Sequence, residues 1–226
     1  MRPYKAIVFD FDMTLADSSH VIVDLLNDCA EQFGFPRKTY GETLPVVGNT
    51  HEIMLSHVTG VTDPARILEM REYYRQLCLS EMPQRISFFP GAEACLKQIF
   101  EKKIQAGILS LKLRAALEAS LEKYNLSRYF NVVLGCEDVP APKPDPGGLR
   151  KAMAAMKIAD AKDLLYVGDS LIDEKAAASA GTDFAAMLLG GTGREEFDPA
   201  LVRHMYASLD ELRLDVAGLP DCGDQQ

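Results

Sequence analysis

The chain has 226 residues, 24 Lys and Arg against 33 Asp and Glu for a formal net charge of −9, and 47% apolar residues. That length exceeds one small domain and falls short of two full ones, so a single core carrying a smaller inserted or appended unit is expected. The acidic balance argues against a nucleic-acid partner or an anionic membrane surface, and no apolar stretch approaches the length of a membrane span.

The opening Met1-Arg2-Pro3-Tyr4-Lys5 lacks the long apolar segment of a signal peptide, which predicts a cytoplasmic protein. Residues 6–9 then form a short apolar run of the kind that suits a strand buried on both faces. It stops at two carboxylates, Asp10 and Asp12, and Thr14 extends the series. Residues two apart share a face of a strand, and in open parallel sheets ligands bind at the carboxyl ends. Two carboxylates held close repel one another, and a divalent cation relieves that repulsion. The pattern next turns helical: Val21, Leu25, Cys29 and Phe33 recur every four residues, with Ser18 or Ser19 as a cap and Gly34 as a stop. A short helix is expected after Thr50. Asp63-Pro64 starts another over 64–81, with Ile67, Tyr74, Leu77 and Cys78 on its inner side. From 18 to 81 the pattern contains helices only.

After Pro90-Gly91 short apolar strands alternate with helices. Helices over 92–103, 114–124 and 147–156 precede strands at 106–110, 132–135 and 164–167. A helix over 171–180 then leads to a fifth strand at 184–189. Such alternation predicts a parallel sheet with helices on both faces. The segment 215–226 is polar and holds Gly218 and Pro220, so a flexible tail is expected there. The five cysteines (Cys29, Cys78, Cys95, Cys136 and Cys222) form no CxxC pair and read as reduced thiols, four of them packed inside. His20, His51, His57 and His204 show no metal-ligand spacing. Gly190, Gly191 and Gly193 complete no phosphate-loop fingerprint, and a turn is the expectation.

Four segments each end a predicted strand or open the loop after one: Asp10-x-Asp12-x-Thr14, Ser110, Lys143-Pro144, and Gly168-Asp169-Ser170-x-x-Asp173. A parallel sheet gathers such ends at one rim. Four carboxylates, a hydroxyl and an ammonium together suit a magnesium-bound phosphoryl group.

In order and character these motifs resemble the haloacid dehalogenase-like superfamily in its phosphatase branch, over residues 7 to about 197. The helical block resembles the small cap of the phosphoglycolate phosphatase and β-phosphoglucomutase group. The resemblance implies an α/β fold: a Rossmann-like parallel sheet core (1–16 and 88–214) with an inserted small α-helical cap (17–87). It implies Asp10 as nucleophile forming an aspartyl-phosphate, and Asp12 as the acid that protonates the leaving oxygen and then the base that activates water. Mg2+ would be held by Asp10, Asp169 and the peptide carbonyl of Asp12. Lys143, Ser110 and the backbone at Leu111 would bind the phosphate oxygens. Asp173 and Thr14 would support from behind, Asp173 reaching back toward Lys143 and Thr14 bracing the loop. A carboxylate at Asp12 distinguishes phosphate-ester hydrolysis from dehalogenation, since a halide leaves without a proton.

Two positions depart from the family pattern. Leu111 stands where Asn commonly follows the hydroxyl residue, and Glu174-Lys175 replaces apolar residues, which suggests an exposed first turn. In the expected cap loop, Asn49, Thr50 and His51 are the candidate readers of the leaving group. No Lys or Arg occurs between Thr39 and Ala65, which predicts a small or weakly charged leaving group. The expected function is magnesium-dependent hydrolysis of a small phosphorylated metabolite by a monomer or homodimer. The alternatives are a β-phosphoglucomutase-like sugar phosphate mutase and an inactive binding protein.

Overall fold

A computed structural model describes residues 3–219. Strand β1 (Ala6–Phe9) is fully buried along its length, as its apolar run requires. The chain then makes β2 (Ala16–Asp17) and leaves the sheet for five helices. These are α1 (Ser19–Gln32), α2 (Tyr40–Thr43), α3 (His51–Thr59), α4 (Pro64–Ser80) and α5 (Met82–Arg85). It returns through β3 (Ser87–Phe88), which pairs antiparallel with β2, Ala16 opposite Phe88. The helical block thus leaves and re-enters the core through one two-stranded ribbon.

From there α6 (Ala92–Glu101), β4 (Gln105–Leu109), α7 (Arg114–Lys123), β5 (Val132–Leu134), α8 (Gly147–Ala155), β6 (Leu164–Gly168), α9 (Leu171–Ala180) and β7 (Asp183–Met187) follow the expected alternation. Two further elements, β8 (Val202–Tyr206) and α10 (Leu209–Ala217), complete the chain. The six-stranded sheet has the order β5-β4-β1-β6-β7-β8, every pair parallel. The first strand to be made therefore lies inside the sheet, with its tip flanked by those of β4 and β6.

Alternation within the strands builds two layers. Ile7, Phe9, Leu165, Val167, Ala185 and Met187 face one apolar cluster, which also takes in α6, α10 and the helical block. Ala6, Val8, Leu164, Tyr166, Phe184 and Ala186 face the other, against α8 and α9. Helix boundaries follow the local signals. Asp63 accepts from the Arg66 N–H at 2.9 Å to open α4, and Gly34, at φ +84°, follows α1 in the left-handed conformation that glycine tolerates.

Four expectations need correction. The main sheet has six strands where five were expected, because β8 extends it beyond β7. Residue 215 does not begin a loose tail: α10 continues to Ala217 and Leu219 is buried, while Pro220 to Gln226, with Cys222, lie outside the described residues. Glu174 is not on an exposed turn but 4% exposed, its carboxylate accepting the Asp198 N–H at 2.7 Å. Cys29, Cys78 and Cys95 are buried as expected, whereas Cys136 is only partly so. No helix among the described residues is long and apolar enough to cross a membrane.

Candidate active site

The β1 tip supplies Asp10, the β6 tip Asp169, the start of α9 Asp173, and the loop before α8 Lys143. The Lys143 ammonium lies 2.9 Å from Asp10 Oδ1 and 2.6 Å from Asp173 Oδ1. It also donates to the Tyr166 hydroxyl at 3.1 Å, and that hydroxyl donates to Asp173 Oδ1 at 2.8 Å. The other Asp173 oxygen accepts from the Ser170 hydroxyl at 2.5 Å, closing a box at the head of α9. Both oxygens of Asp173 are thus engaged, which suits a supporting role. Gly168 makes this possible, because a Cβ there would sit 2.5 Å from Asp173 Cγ.

Oxygens of Asp10, Asp169 and Asp173 all lie within 4.8 Å of one another, and the three residues could hold a metal ion. Charge bookkeeping favours a divalent one: three carboxylates carry −3 and Lys143 adds +1, leaving −2 in a buried site. The strain shows in the titration of the groups. Burial pushes the Asp10 carboxyl up to about 7 even though Lys143 pulls the other way. Burial and the charges of Asp173 and Asp10 raise Asp169 well above the usual carboxylate range. Burial alone would discharge Lys143, but Asp10 and Asp173 outweigh it and hold the ammonium charged. With Asp173 spoken for, Asp10 and Asp169 are the side chains left to face an ion. Thr14 donates to Asp169 Oδ1 at 3.3 Å. Asp169 Oδ2 lies against Gly190, where a Cβ would overlap it. The turn expected around Gly190 is present, and its lack of a side chain shapes the site.

Two cavities meet at the β1 tip. The outer, about 420 Å3, is bordered by Asp169, Gly191 and the segment 44–49 of the helical block. The inner, about 30 Å3, lies between the core and that block, with Asp10, Asp12, Ser110 and Lys143 on one side and Asn49, His51, Tyr74 and Cys78 on the other. Asn49 and His51 therefore reach the place expected of them. Thr50 does not: it stands just before α3 and borders a separate crevice with Arg71 and Arg75. Leu111 lines both the inner cavity and that crevice. His51 packs edge-on to Tyr74 at 4.9 Å, and burial followed by the nearby Lys112 charge pushes its imidazole down to about 4.

Sequence reasoning missed Tyr166, Gly190 and above all Lys112. Nothing basic occurs between Thr39 and Ala65, yet the inner cavity has a cation, because the core supplies one. Lys112 is 6% exposed, its ammonium 3.0 Å from Asp12 Oδ1. The available signal was its place two residues past Ser110, at the tip of β4.

The haloacid dehalogenase-like hydrolase family model matches residues 7–187. The chain is 29% identical over 188 residues to the phosphoglycolate phosphatase of Cereibacter sphaeroides, covering 81% of this chain and 85% of the relative. It is 26% identical over 208 residues to the pyrophosphatase PpaX of Listeria innocua, covering 90% and 93%. A solved structure from Bacteroides fragilis, assigned to the haloacid dehalogenase-like hydrolases, superposes with a TM-score of 0.87 at 32% identity, over 92% of this chain and 99% of that one. With four motifs at one sheet rim and the family match spanning most of the fold, this chain belongs to the haloacid dehalogenase-like hydrolases.

Proposed function

We propose that this hydrolase is a magnesium-dependent phosphatase that acts on a small phosphate monoester through an aspartyl-phosphate on Asp10, as a phosphoglycolate phosphatase-like enzyme. The observation that carries the reading is the Asp10–Lys143–Asp173 chain beside Asp169, in which a nucleophilic carboxylate, a fixed cation and a net −2 pocket share one rim. Magnesium held by Asp10, Asp169 and the Asp12 carbonyl would, when bound, screen the repulsion between carboxylate and phosphate dianion.

Asp10 attacks phosphorus as the bond to the leaving oxygen breaks, and Asp12 gives that oxygen its proton. Asp12 then takes a proton from a water whose oxygen attacks the same phosphorus. The Asp10–phosphorus bond breaks, orthophosphate leaves, and both carboxylates return to their starting states. Lys143 neutralises non-bridging oxygens throughout, held by Asp173 and Tyr166 so that it need not reorganise. Ser110, 2% exposed at the tip of β4, offers its hydroxyl to the same oxygens. The names of the relatives from Cereibacter and Listeria fit this reading.

The test is phosphate release from 2-phosphoglycolate, pyrophosphate and p-nitrophenyl phosphate, with magnesium and with chelator. Release that requires magnesium supports the reading. A purified, folded chain that releases phosphate from none of these, or releases it equally in chelator, refutes it.

A further inference from the structure

Lys112 is a buried ammonium with too few partners. An ammonium has three hydrogens to donate. Among the described residues Lys112 has the Met82 sulfur at 2.7 Å and the Asp12 carboxylate at 3.0 Å, and the Asp12 oxygen concerned accepts no hydrogen bond from it. A thioether is a weak acceptor, and the Asp12 contact is an ion pair without hydrogen-bond alignment. Burying a charge is costly unless it is paired and hydrogen-bonded. A lysine at 6% exposure facing a cavity in this condition is built to receive an acceptor.

The position of the cavity says what that acceptor belongs to. Asp10, Ser110 and Lys143 mark the phosphoryl position at one end, and Asp12 stands beside the leaving oxygen. Lys112 adjoins Asp12, its ammonium 3.0 Å from Oδ1. Of the residues bordering the inner cavity, Lys112 and Lys143 are the lysines, and Lys143 is committed to Asp10 and Asp173. His51 adds no charge near neutral pH, since its imidazole is pushed down to about 4. The Asn49 amide is already turned to the Val46 carbonyl at 3.1 Å.

We infer that Lys112 is the specificity-determining residue of this site and that it selects phosphate compounds whose leaving group carries an anion next to the bond that breaks. This rests on the phosphatase reading above. In the free site Lys112 keeps Asp12 as its counter-ion. In the complex the leaving-group anion takes over that pairing, and Asp12, released from the ammonium, takes up a proton from solvent and faces the leaving oxygen. The absence of Lys and Arg from the 39–65 segment therefore does not predict a weakly charged leaving group. A carboxylate and a second phosphate share the chemistry required, and the small cavity limits either to a compact group.

The test compares 2-phosphoglycolate with ethyl phosphate, which has the same length but ends in a methyl group. Pyrophosphate is a third arm that separates a phosphoryl from a carboxylate leaving group. Wild-type protein with magnesium should favour an anionic substrate by about 10- to 100-fold in kcat/KM, the range of one hydrogen bond to a charged group. In Lys112→Met that ratio should fall to within about threefold of one, chiefly through KM, and Lys112→Arg should recover part of it. A wild-type ratio near one, or a ratio that Lys112→Met leaves in place, overturns the inference. The wild-type comparison stands without any variant, so a misfolded Lys112→Met chain does not shield it. Hydrolysis of no phosphate compound at all would instead overturn the phosphatase reading and this inference with it.

Discussion

Replacing Gly190 by alanine tests the shape of the proposed metal site with the smallest possible change. The new Cβ would overlap Asp169 Oδ2 and lie 2.7 Å from its Cγ and 2.9 Å from its Cβ. Carbon–carbon contact is comfortable from about 3.5 Å, so Cγ must retreat by about 0.8 Å, and rotating the carboxylate alone does not relieve the clash with the carbons behind it. The outer cavity beside Asp169 gives the side chain somewhere to go, so the fold should absorb the change. Catalysis should not. Misplacement of a reacting group by about 1 Å can cost about 100-fold, and disturbance around a metal ligand about 10- to 100-fold in affinity. Gly190→Ala should therefore lower kcat/KM by about 100-fold and raise the half-saturating magnesium concentration by at least about tenfold. Its melting temperature should stay within about 4 °C of wild type, the shift expected from about 1 kcal/mol in a chain of this size. Magnesium titrations of p-nitrophenyl phosphate hydrolysis, paired with thermal melts, measure both. Wild-type kinetics and magnesium dependence in a folded Gly190→Ala protein would show that Asp169 does no metal work.

Lys143→Ala should reduce kcat/KM by at least about 100-fold. It should also destabilise the metal-free protein by about 3–5 kcal/mol, because Asp10 and Asp173 lose their shared buried counter-charge; denaturant melts and steady-state kinetics check the two. Asp12→Asn should slow hydrolysis of an alkyl phosphate by about 100-fold or more and of p-nitrophenyl phosphate by much less, since a nitrophenolate needs no proton to leave. Equal losses on the two substrates would remove Asp12 from the role of acid. The pH dependence of magnesium binding follows from Asp10, whose carboxyl is pushed up from 3.8 to about 7 by burial. Between those values the folded metal-free protein holds a proton that the unfolded chain has lost, so its stability falls as pH rises across that window and levels off above it. Magnesium competes with that proton, so its stabilisation in thermal melts should be larger near about pH 8 than near about pH 6. An equal shift at both would contradict the assignment of Asp10 as a ligand.

The sheet rim was readable because each motif follows an apolar run, and parallel strands bring such ends together whatever their separation in sequence. Asp10, Ser110, Lys143, Asp169 and Asp173 could be placed on that basis alone. The last strand was not readable in the same way. Val202-Arg203-His204-Met205-Tyr206 sits at the sheet edge with Tyr206 its one fully buried residue, so it lacks the apolar run that marked the inner strands. Helix α10 packs Leu209, Leu212 and Val216 inward, a spacing diluted by its charged residues. Glu174 was misjudged because a buried carboxylate is uncommon unless something holds it, and the Asp198 backbone that does so lies 24 residues away. The cap was read from composition within one segment, whereas the cavity it covers takes its cation from the far side, at the tip of β4. Spacing reveals what one element presents, and misses what a different element brings to the same space.

The proposed mechanism stands on phosphorylation of Asp10 at the rim where three carboxylates meet Lys143. Rapid-quench turnover of phosphate-labelled substrate detects it, and reduction of the quenched acyl phosphate with tritiated borohydride, which releases the phosphate and leaves tritium on the side chain, locates it by peptide mapping. Phosphate label should form only with magnesium and be lost to hydroxylamine, and tritium should map to Asp10, with neither in a folded Asp10→Asn protein. Label on any other residue, or turnover by Asp10→Asn within about tenfold of wild type, where loss of a nucleophile costs far more, would contradict it.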